Sequence, residues 1–132
     1  MTGSPVFPQL LQFSDAALLC LRLVVAVVFF ESGRRHAGDP VGRAASIGLS
    51  PGLTRILGWA EMAAALGVGF GVLTQVAALG LMLVMLGAIQ KKLFVWHTGF
   101  WGEKTYGWHY DLTYLVANLV ILTTGGGRLV IL

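Results

Sequence analysis

The chain has 132 residues, of which 56% are hydrophobic and 11% are charged, with a net charge of +3 and a mean hydropathy of +0.78. Because a soluble domain carries about 25% charged residues, this composition excludes a disordered chain, a nucleic-acid-binding arm and an ordinary soluble enzyme domain. A membrane protein remains, whose expected partners are the lipid bilayer and other membrane subunits and not a nucleic acid.

Four apolar segments follow one another along the chain, and each is close to the roughly 20 residues that span a bilayer. Short connections make consecutive helices antiparallel neighbours. The sequence therefore predicts an all-α integral membrane protein, an up-down four-helix bundle that forms a single domain over 1–132. The first helix is expected to act as its own insertion signal, because residues 1–13 contain no Lys or Arg and no cleavage site. The predicted helices cover about 15–33, 52–73, 74–96 and 108–124.

Local signals set the expected helix ends. Ser50 is predicted to cap the second helix, with Pro51 at its first position. The run Val72–Gln75 predicts a tight turn into the third helix, and Gly125–Gly127 predicts the end of the fourth. Small residues at helical spacing, Gly80 and Gly87 among them, predict close contacts between helices.

Basic residues are distributed unequally between the two ends of the predicted bundle. The end that holds only Arg128 also carries both termini. The positive-inside rule then places the two long loops in the cytoplasm and both termini outside. The basic residues of the loop end are Arg34, Arg35, Arg43, Arg55, Lys91, Lys92 and Lys104.

Two ionisable residues fall deep inside predicted spans. Arg22 and Glu61 each lie about nine residues, or about 13 Å, from the loop end of their helix. A charge in the bilayer centre costs roughly 2.5–3.5 kcal/mol, so such residues are retained where they pair, line a wet cavity or do chemistry. The sequence predicts an Arg22–Glu61 ion pair, acting either as a link between helices or as a proton or substrate site.

A second layer of charged residues lies nearer the loops. Glu31 is four residues from Arg35 and is expected within about a turn of Arg55 in depth. Lys92 is expected to reach Asp111 across the last two helices. The long basic side chains have the alternative of extending to lipid headgroups. Arg22, Glu61, Glu31 and Arg55 are thus the candidates for a buried polar or proton-transfer group.

Aromatic residues crowd the second long loop. They are interpreted either as an interfacial aromatic belt or as a platform for a flat ring such as a quinone head. The residues are Trp96, Phe100, Trp101, Tyr106, Trp108 and Tyr110.

The three histidines, His36, His97 and His109, lie at the same end of the bundle. Their spacing is not diagnostic of a haem or a metal site. They are interpreted as interfacial hydrogen-bonding groups or as proton-transfer groups. The single cysteine excludes an internal disulfide or CxxC pair. Candidate ligands of a quinone or similar molecule are His97, Trp101, Trp108, His109 and Asp111.

Seven motifs are distributed over nearly the whole chain, namely Leu21-Arg22-Leu23, Val27–Gly33, Gly58-Trp59-Ala60-Glu61, Ala65–Gly69, Thr74–Ala78, Gly107–Leu112 and the closing Gly125–Arg128. Together these motifs resemble those of the DoxX family. The terminal Leu129–Leu132 departs from the family's usual ending.

The resemblance implies a four-helix, multi-pass protein of a bacterial-type inner membrane. Relatives include the membrane subunit of a thiosulfate:quinone oxidoreductase, so the resemblance implies association with a quinone-linked membrane oxidoreductase and quinone as the cofactor to consider. Two alternatives stay open: a non-catalytic accessory subunit at the edge of a larger membrane complex, and a small transporter. Whether the chain is an enzyme, and which residues would then be catalytic, is left open because a fold does not fix a function.

Overall fold

The computed structural model describes residues 5–38, 50–102 and 107–131. Within these ranges the chain forms helices and no strands. Arg43, Lys104 and Tyr106, named above, lie outside the described residues. The elements are a 3-10 turn at Pro8–Phe13, α1 at Ser14–Gly38, α2 at Pro51–Phe70, α3 at Thr74–Gln90 with a π-helical turn at Lys91–Val95, and α4 at Trp108–Thr124.

Helix α1 continues five residues beyond its predicted end at Gly33. The polar run after Gly33 remains helical because Glu31 pairs with both Arg34 and Arg35, one turn ahead on the same surface. Gly33 itself is an interior helical residue at a contact with α2. The extension moves the loop end of α1 about 7.5 Å further from Arg22 than the sequence predicted.

The predicted caps and turns are confirmed. The Ser50 hydroxyl accepts a hydrogen bond from the Leu53 amide at 3.2 Å, and Pro51 opens α2. Gly71 ends α2 with a φ of +76°, and Leu73 precedes α3 with a φ of +49°. Gly125 ends α4 in the left-handed region that favours glycine.

Helices α1 and α2 cross closely at a pair of glycines. A Cβ on Gly58 would lie 2.5 Å from the Ala37 amide nitrogen, and one on Gly33 would lie 2.5 Å from the Gly58 carbonyl oxygen. Gly80 and Gly87 of α3 would meet no atom within 4 Å. The predicted close packing at these two α3 glycines is therefore wrong, because spacing alone does not reveal which face of a helix meets a neighbour.

The bundle consists of two helical pairs. Helix α1 packs mainly on α2, and α3 packs mainly on α4. An edge-to-face contact between Phe29 and Tyr114, with centroids 5.7 Å apart, joins α1 to α4. Apolar side chains fill the centre between the pairs, namely Val25, Phe29, Ala65, Val68, Ala78, Leu81, Met85 and Ile121.

Large apolar side chains are exposed on every described helix, while several polar side chains are buried. The buried polar residues include Arg22, Glu61, Asp111 and Asn118. Two segments, Pro8–Gly38 and Thr74–Val95, are long and apolar enough to cross a membrane. The large apolar side chains on the outside include Val27, Phe30, Ile56, Trp59, Leu79, Leu83, Val116 and Leu119.

Candidate functional site

A cavity of about 530 Å³ lies at the end of the bundle where α1 and α3 finish and α2 and α4 begin. This volume is in the range of roughly 300–1,000 Å³ that is typical of small-molecule sites. Both helical pairs contribute to it, so the cavity lies between them. Its apolar walls include Val28, Phe29, Leu57, Val84, Met85 and Ala88.

On one side of the cavity, Glu61 of α2 faces His36 of α1. The Glu61 carboxylate oxygen Oε2 lies 3.2 Å from Nδ1 of His36, and the Glu61 side chain is fully buried. The same Nδ1 lies 2.9 Å from the Ser32 carbonyl oxygen. Because both neighbours are acceptors, Nδ1 carries a proton. Among the described residues, neither oxygen of Glu61 receives a hydrogen bond, which leaves this carboxylate with open acceptor positions inside a pocket.

Lys92 and Asp111 form the second charged pair of the cavity. The Lys92 Nζ lies 2.7 Å from Oδ2 of Asp111, and their side chains are 12% and 4% exposed. The predicted contact between the third and fourth helices is therefore confirmed. The Lys92 ammonium also lies 5.6 Å from the centre of the Tyr110 ring. An ammonium has three donors, so Lys92 can donate to Asp111 and to a second acceptor at once.

Glu31 lies at the rim of the same cavity, and its carboxylate is already paired. It accepts hydrogen bonds from Nε of Arg34 at 2.9 Å and from Nε of Arg35 at 3.2 Å. The predicted Glu31–Arg35 pair is confirmed, with Arg34 as an additional partner. Arg55 is exposed, so the prediction that Arg55 is buried is wrong.

Arg22 does not pair with Glu61, and that prediction is wrong. Its Nε donates to the Val68 carbonyl at 2.9 Å. The remaining bonds of the guanidinium go to the carbonyl oxygens of Gly126 at 3.0 Å, Leu129 at 2.8 Å and Gly69 at 3.2 Å.

The longer α1 explains the error. Arg22 lies about 24 Å from the observed loop end of its helix, whereas Glu61 lies about 15 Å from the start of α2. Antiparallel packing therefore brings Arg22 level with Val68, about 10 Å along α2 from Glu61. Two carbonyls of the last turn of α2 and two of the segment after α4 stabilise the guanidinium where the sequence suggested a carboxylate.

The aromatic loop residues form a cluster beside the cavity. Phe100 packs edge-to-face on Trp101 and Trp108, with centroids 4.8 Å and 4.6 Å apart. His109 is held by a contact of 2.6 Å between its Nδ1 and the Phe100 carbonyl oxygen. Asp111 lines the cavity, whereas Trp101, Trp108, His109 and the exposed His97 are not among its lining residues. Trp96 and Tyr110 of the aromatic set do line it.

Sequence reasoning missed His36 as the neighbour of Glu61. His36 was placed in a loop, because the prediction ended α1 at Gly33. The i to i+3 and i to i+4 pairs of Glu31 with Arg34 and Arg35 were a signal that the helix continues. Within the parts of the chain that the structure describes, no group of three or more His, Cys, Asp or Glu side chains could hold a metal ion.

Comparison with known proteins agrees with the motifs at Arg22 and Glu61. The DoxX family profile matches residues 17–100. The chain belongs to the DoxX family. It is also 33% identical, over 146 aligned positions, to an uncharacterized membrane protein of Mycobacterium tuberculosis, with 97% of this chain and 88% of that relative covered. No solved structure matches the chain. This DoxX protein is accordingly a membrane protein, which accounts for the apolar exterior of its helices.

Proposed function

We propose that this DoxX protein is a four-span subunit of a quinone-linked membrane oxidoreductase, and that its cavity holds the quinone or quinol head. The observation that carries the proposal is a cavity with apolar walls that also has two charged pairs, Glu61–His36 and Lys92–Asp111, on its lining. Small-molecule sites combine apolar walls with a few placed polar groups in this way.

The lengths and outer surfaces of α2 and α4 support the proposal of four spans. At 1.5 Å per residue these helices measure about 30 Å and about 26 Å, close to the roughly 30 Å of the hydrocarbon core. Their large exposed side chains include apolar residues such as Ile56 and Leu119. The basic cavity end is proposed to face the cytoplasm and both termini the opposite side of a bacterial-type inner membrane.

The chemistry that such a cavity serves is proton exchange. Converting a quinone to a quinol consumes two electrons and two protons and forms two O–H bonds, and the reverse reaction releases them. The electrons are exchanged with a redox partner protein. The protons are exchanged at the head oxygens with the Glu61–His36 pair and with the Lys92–Asp111 pair, which are suited to general acid–base work.

The test is the quinone content of the protein purified from its native membrane and reconstituted in lipid nanodiscs. We expect extractable quinone close to one molecule per chain. The variant Ala88→Trp fills the cavity without altering either charged pair and is expected to lose the quinone. Gly80→Ala, at an open position of the same helix, is the matched control and is expected to retain it. Equal quinone in both variants, or none in the unmodified protein, contradicts the proposal.

A second candidate function is a non-catalytic accessory subunit. The observation that favours it is the open backbone at Gly80 and Gly87 on α3, because small residues allow a neighbouring transmembrane helix to approach closely. Copurification tests this candidate. A stable partner that Gly87→Leu releases supports it, and a chain that purifies alone contradicts it.

A further inference from the structure

The cavity offers different hydrogen-bonding groups on its two charged sides. The Glu61 carboxylate has open acceptor positions and therefore requires a donor. The Lys92 ammonium lies 2.7 Å from Oδ2 of Asp111 and carries three donors, so it can also donate to an acceptor on a ligand. A ligand that satisfies both must carry a hydrogen-bond donor, such as a hydroxyl, at one point and an acceptor, such as an oxygen, at another.

The two pairs also belong to different helical pairs. Glu61 and His36 lie on α2 and α1, whereas Lys92 follows α3 and Asp111 lies on α4. Apolar side chains, Phe29 and Met85 among them, line the same space. An apolar ring with polar atoms at two separate edges is suited to contact both charged pairs across this apolar space.

We propose that the cavity selects the reduced form of a 1,4-quinone: one hydroxyl of the para-hydroquinone donates to Glu61, and the opposite oxygen accepts a hydrogen bond from Lys92. This inference rests on the proposed function and specifies its substrate class. An oxidised quinone has two acceptor oxygens, so it leaves the buried carboxylate without a donor. A buried acceptor left unsatisfied weakens binding.

A series of naphthalene probes tests this without any redox step. Binding to the nanodisc-held protein is measured under anaerobic conditions, with binding to empty nanodiscs subtracted. The probes are 1,4-dihydroxynaphthalene, 4-methoxy-1-naphthol, 1,4-dimethoxynaphthalene and 2,3-dihydroxynaphthalene. We expect the first two to bind about tenfold or more tightly than the last two, because a hydrogen bond to a charged group is lost in the dimethoxy compound and the 2,3-diol places both oxygens on one edge.

Substitutions then identify which residues produce the preference for the probes that carry a hydroxyl. Glu61→Gln is expected to reduce the tenfold preference for 4-methoxy-1-naphthol over 1,4-dimethoxynaphthalene to less than threefold. Asp15→Asn, the same chemical change at the far end of the bundle, is the matched control and is expected to preserve the preference. Lys92→Met is expected to weaken the binding of both 1,4-dihydroxynaphthalene and 4-methoxy-1-naphthol.

The outcomes separate the two proposals. Equal binding of the four probes to the unmodified protein overturns the para-hydroquinone inference and leaves the proposed function standing, and this comparison needs no variant to fold. A preference that persists in Glu61→Gln also overturns the inference. Failure of every probe to bind contradicts the quinone pocket itself.

Discussion

The Glu61 carboxylate of α2 lies 3.2 Å from Nδ1 of His36 on α1, about 10 Å along α2 from the level of Arg22. The two levels of this helical pair therefore have different roles. At the cavity end, charged side chains face a space that can admit a ligand. At the other end, the buried guanidinium of Arg22 joins α1 to the last turn of α2 and to the segment that follows α4.

Replacing Arg22 is expected to destabilise the protein strongly. Arg22→Met removes donors from four carbonyl oxygens in a buried setting, and we expect a loss of about 2–4 kcal/mol. The measurement is reversible unfolding in mixed micelles. Arg128→Gln is the control, because Arg128 is exposed and the structure uses its backbone amide, bonded to Asp15 at 3.0 Å. A loss below about 0.5 kcal/mol for Arg22→Met would show that the carbonyl contacts contribute little.

The glycine crossing of α1 and α2 gives a second prediction. Gly58→Ala places a methyl group against the backbone of Ala37 and Gly33, so the helices must move apart at a cost of about 1–3 kcal/mol. Gly80→Ala is the matched control, because a Cβ there meets nothing within 4 Å and alanine favours a helix. Thermal unfolding of both variants in the same detergent tests this. A similar melting temperature for the two contradicts the close crossing.

The contributions of Lys92 and Asp111 to the free energy of unfolding should be strongly coupled. Lys92→Met leaves a carboxylate that is 4% exposed without its cation, and breaking such a buried pair costs about 3–5 kcal/mol. Lys92→Met combined with Asp111→Asn should recover most of the loss. A double-mutant cycle on unfolding free energies measures this. Additive effects of the two substitutions would contradict a direct pair.

Arg34→Gln removes an exposed ion pair and can be compared with the substitutions in the buried Lys92–Asp111 pair. Its side chain is 62% exposed where it meets Glu31, and exposed ion pairs contribute about 0–1 kcal/mol. We expect a change below about 1 kcal/mol for this variant. A loss as large as that of Lys92→Met would show that the Arg34–Glu31 pair at the cavity rim stabilises the fold more than an exposed ion pair normally does.

The proposed four spans predict which positions lie on each side of the membrane. In a Cys20→Ser background, cysteines introduced at Gly52 and Gly99 should react with an impermeant maleimide only from the cytoplasmic side. Cysteines at Leu73 and Leu129 should react only from the outside. Labelling of intact and opened cells tests this. If positions 52 and 73 react from the same side, α2 does not span.

The helices, the caps and two charged pairs could be predicted from the sequence because their causes are local or short-range. Ser50 followed by Pro51 is a helix start wherever it occurs. Lys92 and Asp111 were placed together because each lies at the loop end of a neighbouring helix. The apolar exterior follows from composition alone.

The partners of Arg22 and Glu61 could not be predicted, because they depend on helix register. Because α1 ends five residues later than predicted, Arg22 lies beside backbone carbonyl oxygens and not beside the Glu61 carboxylate. The same extension brings His36 beside Glu61. The crossing at Gly33 and Gly58 sets this register, yet in sequence these glycines resemble Gly80 and Gly87. When a helix end is predicted at the wrong residue, the depth calculated from that end is wrong by the same distance for every residue of the helix.

The decisive measurement is photoaffinity labelling with an azido-1,4-quinone that has been reduced to its quinol. The protein is irradiated in nanodiscs under anaerobic conditions with this quinol bound, and the modified residues are located by mass spectrometry. We predict adducts on the cavity lining, at Met85, Trp96 or Tyr110, which an excess of unlabelled quinol prevents. Adducts confined to the outer surface, at residues such as Leu79 and Leu83, and unaffected by competing quinol, would contradict this prediction.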